Sequence, residues 1–247
     1  MKLKDKTAIV TGASTGIGQA IAVELAKEGA FVYLIARNSK GLLETKALIR
    51  KAGGNSDALV ADLSSVEKIN NLIKVIRTKT DKVDILANIA GIWHGKDEVY
   101  ADKDYESFDQ KVIVDTYMVG TIAPSLLAHA LIPLIPKHGK IINLSGTFEN
   151  GAKGWLPYFV SKKAIEDLTI GLAEELKDKN IQVNCISPSD TATKAYGKYF
   201  PQYMDEAIEP QKIAEQAVYL CSDEANSITG KVFVMKKGKE SCEGYHT

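Results

Sequence analysis

Short apolar runs rich in β-branched residues recur along the chain at residues 7–11, 31–36, 56–60, 83–88, 140–144, 181–186 and 231–235. Each has the length of a strand. Between them lie longer stretches whose apolar residues fall three and four apart, as in Ile17, Ile21 and Leu25, the pattern of a helix that covers a sheet. Strands separated by helices pair in parallel with right-handed crossovers. The pattern predicts an α/β fold: a doubly wound parallel sheet of about seven strands with helices on both faces, in one domain spanning residues 1–247. The longest helices are expected at 109–134 and 158–176. A loop-rich segment at about 192–210, carrying tyrosines and prolines, interrupts the alternation and reads as a lid over a substrate site.

Composition narrows the function. Hydrophobic residues make up 45% and charged residues 25% of 247 residues, an ordinary globular balance. Lys+Arg and Asp+Glu number 31 each, for a net charge of zero, which removes the basic footprint of a nucleic-acid or anionic-membrane binder. Small molecules are the expected partners. Cys185, Cys221 and Cys242 are three, far apart and without a Cys-x-x-Cys pair, so neither a disulfide framework nor a zinc site is expected. The four histidines show no metal-ligand spacing, so no metal is expected either. The charged start, Met1 to Lys6, does not read as a secretory signal, and the apolar stretch 124–136 is too short to span a bilayer. A cytoplasmic protein is the expectation.

The first strand runs into Thr11-Gly12-Ala13-Ser14-Thr15-Gly16-Ile17-Gly18 and then directly into an amphipathic helix. Glycines there let backbone N–H groups approach a pyrophosphate, and the helix N-terminus adds unpaired donors and a positive dipole end. The Gly-x-x-x-Gly-x-Gly spacing resembles that of the classical short-chain dehydrogenase/reductase family. Other motifs extend the resemblance over about residues 3–236: Asp62-Leu63 after the third strand, Asn88-Ile89-Ala90-Gly91 at the fourth, Tyr158-x-x-x-Lys162, and Pro188 with Thr193 after the sixth. The resemblance implies a Rossmann-type fold and a dinucleotide held by Gly12, Ser14, Thr15, Gly16, Ile17, Gly18, Asp62, Leu63, Asn88, Ala90, Gly91, Tyr158, Lys162, Pro188 and Thr193. It also implies a homo-oligomer, a tetramer in many relatives.

At the end of the second strand no carboxylate is available to bind a ribose 2′-hydroxyl, whereas Arg37 offers a planar, permanently charged fork to a 2′-phosphate. NADP is expected, with NAD as the alternative. Tyr158 and Lys162 stand at i and i+4 of a helix and share one face, where an ammonium beside the phenol would bring it toward neutrality as an acid/base. Ser145, thirteen residues before Tyr158, is the expected holder of the reacting carbonyl oxygen. Relatives often read Asn-Ile-Ser-Ser with the second serine active, and here Asn143-Leu144-Ser145 is followed by Gly146, so the register stays open. Tyr117 stands where relatives carry a relay asparagine and is placed with the catalytic set.

The substrate pocket is expected from Trp93, His94, Phe148, Trp155 and Tyr196, with Glu149, Ser189, Tyr199, Phe200 and Tyr203 nearby. Such a lining suits a small neutral or ring-containing carbonyl or secondary alcohol. The reading is an NADP-dependent oxidoreductase of carbonyl reductase or alcohol dehydrogenase type. The alternative is a nucleotide-binding sensor or scaffold of the same fold without turnover.

Overall fold

The structure, a computed structural model, describes residues 1–95, 97–148 and 153–244; Glu149 lies outside the described residues. Strands β1 (Thr7–Thr11), β2 (Phe31–Ala36), β3 (Asn55–Val60), β4 (Ile85–Asn88), β5 (Lys140–Leu144), β6 (Gln182–Pro188), β7 (Lys231–Met235) and β8 (Cys242–Glu243) form one sheet in the order β3-β2-β1-β4-β5-β6-β7-β8. Seven are parallel, as their apolar runs imply. The eighth, β8, is antiparallel to β7 and only two residues long, too short to leave a hydrophobic pattern.

Helices α1 (Gly16–Lys27), α2 (Ser39–Lys51) and α8 (Pro210–Cys221) pack together on one face of the sheet. Ile21, Leu25, Val10, Leu34, Ile213 and Leu220 fill the core between. The other face carries α3 (Val66–Lys79), α4 (Gln110–Tyr117), α5 (Ala123–Leu131) and α6 (Leu156–Glu175), over a core that includes Ile9, Ile35, Ile69, Leu127 and Val183. A short α7 (Lys194–Tyr199) and a 3₁₀ turn at Pro201–Tyr203 occupy the segment expected to be a lid.

The long helix expected at 109–134 is interrupted. A π-helical turn, Met118–Ile122, separates α4 from α5, because Pro124 has no N–H to give the carbonyl four residues back, at Gly120. Gly120 also lets the turn approach α6: a Cβ there would lie 2.9 Å from Ser161 Oγ. The stretch Gln110–Leu134 is long and apolar enough to cross a membrane by length and composition, yet here it packs against α3 and α6 in the helical layer.

Candidate active site

The chain runs outward from β1 through β2 to β3, then returns to lay β4 on the other side of β1. Loops leaving the carboxyl ends of β1 and β4 therefore diverge, which opens a crevice where ligands bind in sheets of this kind. A cavity of about 1010 Å³ lies there, running from the glycine-rich turn past Tyr158 to the α7 segment.

Its first half is built mainly from backbone. Gly12 has φ of +70°, and a Cβ on it would lie 3.0 Å from the backbone of Ala90. A Cβ on Gly18 would fall 2.3 Å from the Gly12 carbonyl oxygen, so the turn closes only with glycine at both positions. Thr11 ties the two strands of the crevice together, its Oγ1 accepting from Ile89 N at 2.9 Å and Ala90 N at 3.2 Å. The side chains of Asn38 and Ser65 cap α2 and α3, whereas Thr15 makes no side-chain cap on α1. The α1 N-terminus thus keeps open donors and its dipole end for an anion.

Gly12, Ser14, Thr15, Gly16, Ile17 and Gly18 line this half, together with Arg37, Asp62, Leu63, Ala90, Gly91, Pro188 and Thr193. Arg37 is exposed and has no ion-pair partner among the described residues. Burial would raise the Asp62 carboxyl, but hydrogen bonds from Lys68 and Ser64 outweigh it and hold the group down at about 2. Thr193 accepts from Tyr196 N at 3.1 Å, capping α7, and its methyl would lie 3.2 Å from a Cβ on Gly16. The α7 segment therefore starts directly against the glycine turn. Asn88 does not line the cavity, a correction to the expected cofactor set. It is buried at the end of β4, where its Nδ2 donates to Asn143 Oδ1 at 2.9 Å.

Tyr158 and Lys162 meet at the centre of the cavity wall, on the sheet-facing side of α6. Lys162 Nζ donates to the Leu144 carbonyl oxygen at 2.7 Å and lies 5.2 Å from the centroid of the Tyr158 ring. Gly91 leaves room for this ammonium, since a Cβ on it would be 3.3 Å from Nζ. Burial brings Lys162 down to about 8, with Cys185 and Glu166 opposing the fall. Burial also pushes the Tyr158 phenol up, contrary to the expected fall toward neutrality. The cause is desolvation, the surrounding protein holding water away from the phenol. Glu166, 2% exposed and one turn beyond Lys162, accepts from Lys163 Nζ at 3.3 Å and from Ser187 Oγ at 3.5 Å. Sequence reasoning missed it, and its i+4 spacing from Lys162 was the available signal.

Ser145 borders the cavity, but it is 1% exposed and its Oγ is buried against the Cys185 thiol. The buried Cys185 thiol, pushed up to about 12 by burial, is its neighbour on β6. Gly146 is the position that faces the phenol: a Cβ on it would lie 3.6 Å from Tyr158 Oη.

The second half of the cavity is aromatic. Trp93, Phe148, Trp155, Tyr196, Phe200 and Tyr203 line it. Trp93 and Tyr196 stack with centroids 6.4 Å apart and planes at 29°, and Phe148 meets Tyr158 edge-on at 5.8 Å. Three charged lining residues escaped the sequence reading: Lys153, Asp190 and Glu206, the last two at the ends of the lid where Thr191 bridges Ile208. Three expected residues stand outside. His94 packs against Trp93 and Tyr199 behind the wall, with burial lowering its pKa. Tyr117 is half-buried next to Tyr105, its phenol pushed up by burial, and does not reach the cavity; Val119, two residues on, lines it instead. Tyr199, too, stands outside, its hydroxyl donating to the Gly95 carbonyl at 3.1 Å and pinning α7 to the loop after β4.

Residues 12–240 match the family described as enoyl-(acyl carrier protein) reductase. Among characterised and uncharacterised relatives, the chain is 30% identical over 254 residues to a cyclopentanol dehydrogenase of Comamonas sp., covering 96% of this chain and 98% of that one. It is 32% identical over 249 residues to the uncharacterized oxidoreductase YxbG of Bacillus subtilis, covering 93% and 89%. Among solved structures, the landomycin C-6 ketoreductase LanV with bound NADP and rabelomycin superposes with a TM-score of 0.83 at 29% identity, over 94% of this chain and 95% of that one. A short chain dehydrogenase from Burkholderia cenocepacia in complex with NADP gives 0.85 at 25% identity, over 96% and 99%.

Proposed function

The chain belongs to the short-chain dehydrogenase/reductase family, and we propose that it reduces ring-containing ketones with NADPH, Tyr158 giving the proton. The observation that carries this reading is a single cavity in which a helix N-terminus without a side-chain cap and Arg37, which has no ion-pair partner among the described residues, join the Tyr158–Lys162 pair and an aromatic chamber at the other end. The residues present fit NADP: glycine positions that a Cβ would block, open N–H donors for the pyrophosphate, and a guanidinium at the end of β2 for the 2′-phosphate. The structural neighbours solved with NADP support the same cofactor. When bound, the cofactor supplies a hydride to the carbonyl carbon.

The chain's own residues do the rest. Tyr158, its phenol pushed up by desolvation, carries the proton that reduction of a carbonyl requires. Lys162, charged at pH 7 with a pKa near 8, holds its ammonium against the phenol ring and the β5 carbonyl. The segment 192–210 excludes water as a lid hinged on the Thr191–Ile208 bridge. Exposed Val114, Ile122, Leu156 and Val160 on the α4–α6 side support a homo-oligomer, and buried reduced Cys185 and Cys221 suit a cytoplasmic protein.

The test is a panel of aromatic ketones with NADPH and NADH. Turnover with NADPH preferred supports the reading. Tight NADPH binding with no turnover on the whole panel would favour the sensor, a reading that draws on the missing side chain at Gly146.

A further inference from the structure

Polarising a ketone for hydride transfer takes a hydrogen bond to the oxygen on which charge develops, in addition to the group that gives the proton. The end of β5 is where such a donor would stand, and there the hydroxyl of Ser145 is buried in the cavity wall rather than presented to the space beside the phenol. Ser145 continues the strand, its N–H bonded to the Ile186 carbonyl at 2.9 Å, and its side chain lies against the Cys185 thiol of β6. It is 1% exposed, and its Oγ is sealed from the solvent that a substrate would displace. The next residue turns toward the phenol, and it is Gly146. A Cβ there would lie 3.6 Å from Tyr158 Oη, 4.0 Å from the Phe148 ring and 4.0 Å from the Pro188 carbonyl oxygen. All three are ordinary contacts, so the space is that of a small side chain that the chain does not have.

We propose that Gly146 is a specificity-determining position and that the missing hydrogen bond comes from the substrate: the site selects aromatic ketones that carry a hydroxyl two carbons from the carbonyl carbon, on the ring position beside it. This rests on Tyr158 being the proton donor. In such a ketone the hydroxyl closes a six-membered hydrogen bond onto the carbonyl oxygen and occupies the room over Gly146, beside Tyr158. The carbonyl carbon accepts the hydride and its π pair moves onto oxygen. The new O–H bond forms as the Tyr158 O–H bond breaks, and solvent returns a proton to the phenolate. The sum is ketone plus NADPH plus H⁺ giving alcohol plus NADP⁺. The internal hydrogen bond strengthens as charge reaches the oxygen, so the preference falls on kcat more than on KM. The chamber's lining is aromatic, with Phe148 packed on the Tyr158 ring and Trp93, Tyr196 and Phe200 packed on one another, a surface suited to the faces of fused rings.

The experiment compares 1-tetralone, 8-hydroxy-1-tetralone and 8-methoxy-1-tetralone as substrates with NADPH. Wild-type protein is expected to reduce the hydroxy compound with a kcat at least ten-fold above the other two. Gly146→Ser should raise kcat/KM for 1-tetralone at least ten-fold and lower it for the hydroxy compound, whose place the serine takes; Gly146→Ala, adding bulk without a donor, should not raise it. Quenching of Trp93 and Trp155 fluorescence gives each ketone's affinity without turnover and should differ between the three less than the rates do. Thr147 also borders the cavity, and Thr147→Val is expected to leave the preference intact. Equal rates for the three ketones, an unchanged ratio in Gly146→Ser, or loss of the preference in Thr147→Val overturns the inference. Tyr158→Phe with undiminished turnover overturns the proton-donor reading instead, and no NADPH oxidation with any of the three overturns both.

Discussion

The two ends of the cavity are made of different material. The cofactor end is backbone and glycine: Gly12 and Gly18 approach neighbouring main chain too closely for any Cβ, and the α1 N-terminus is left uncapped. The substrate end is side chains from four separated segments, with Trp93 after β4, Phe148 after β5, Trp155 before α6 and Tyr196 on α7. A surface of main chain tolerates little sequence change and binds one ligand class; a surface of aromatic rings can be re-tuned by substitution without disturbing the sheet. Tyr158 and Lys162 stand at the seam between them.

The largest effect should come at that seam. Tyr158→Phe removes the proton donor and should lower kcat by about 10²–10⁴-fold, the usual worth of general acid catalysis, while NADPH affinity stays within about two-fold. A loss of NADPH binding in that variant would mean that the two ends are not separable.

Next is Lys162, which couples stability to function. Its ammonium is buried at a cost of roughly 3 kcal/mol, given a fall from 10.5 to about 8. Below pH 8 both folded and unfolded chains hold the proton and the full cost is present. Between pH 8 and 10.5 the folded chain releases it while the unfolded chain keeps it, so stability contributed by this group rises with pH. Lys162→Met should therefore be more stable than wild type at pH 7, lose that advantage by pH 10.5, and have no reductase activity. In wild type, reduction should decline above pH 8 as Lys162 loses its charge. Thermal melts of both proteins from pH 6 to 10.5, beside a pH–rate profile, check this; equal melts at pH 7 would contradict it.

At the cofactor end one side chain carries the selectivity. Arg37→Asp should weaken NADPH by about 10–100-fold, the worth of hydrogen bonds to a charged group, and make NADH the tighter ligand. Fluorescence titration of both cofactors measures it, and an unchanged preference would place the 2′-phosphate elsewhere. The smallest effect is expected at the lid. Tyr199→Phe removes the bond to the Gly95 carbonyl and should speed NADPH release a few-fold, for a bond worth about 0.5–1.5 kcal/mol. Stopped-flow displacement reads this directly.

The same contrast explains what the sequence made legible. The seven parallel strands and the glycine turn are written in contiguous residues whose spacing is itself the physics, and so are Tyr158 and Lys162 on one helical face. The substrate chamber is not contiguous. Trp93, Phe148, Trp155 and Tyr196 could be proposed because they lie near strand ends or in the lid, but Asp190 and Glu206 are brought together only by the folding-over of α7, and Lys153, just before α6, carries no pattern that marks it. Asn88 and Tyr117 went astray for local reasons. Asn88 points into the sheet toward Asn143, and Tyr117 ends α4 just before the π turn, which hands the cavity position to Val119. Glu166 was hidden because an acidic residue on an amphipathic helix ordinarily reads as solvent-facing, whereas here Lys163 and Ser187 satisfy it in the interior.

The account stands on the carbonyl carbon receiving its hydrogen inside this one cavity, directly from the nicotinamide, with the oxygen's proton coming through Tyr158. Reduction of 8-hydroxy-1-tetralone with NADPH deuterated at C4, followed by mass and NMR analysis of the alcohol, tests that most directly. The account predicts one deuterium on the carbinol carbon from one face of the nicotinamide and none there when unlabelled NADPH is used in D₂O. Carbinol deuterium drawn from solvent, or label missing from the alcohol while NADPH is consumed, would contradict it.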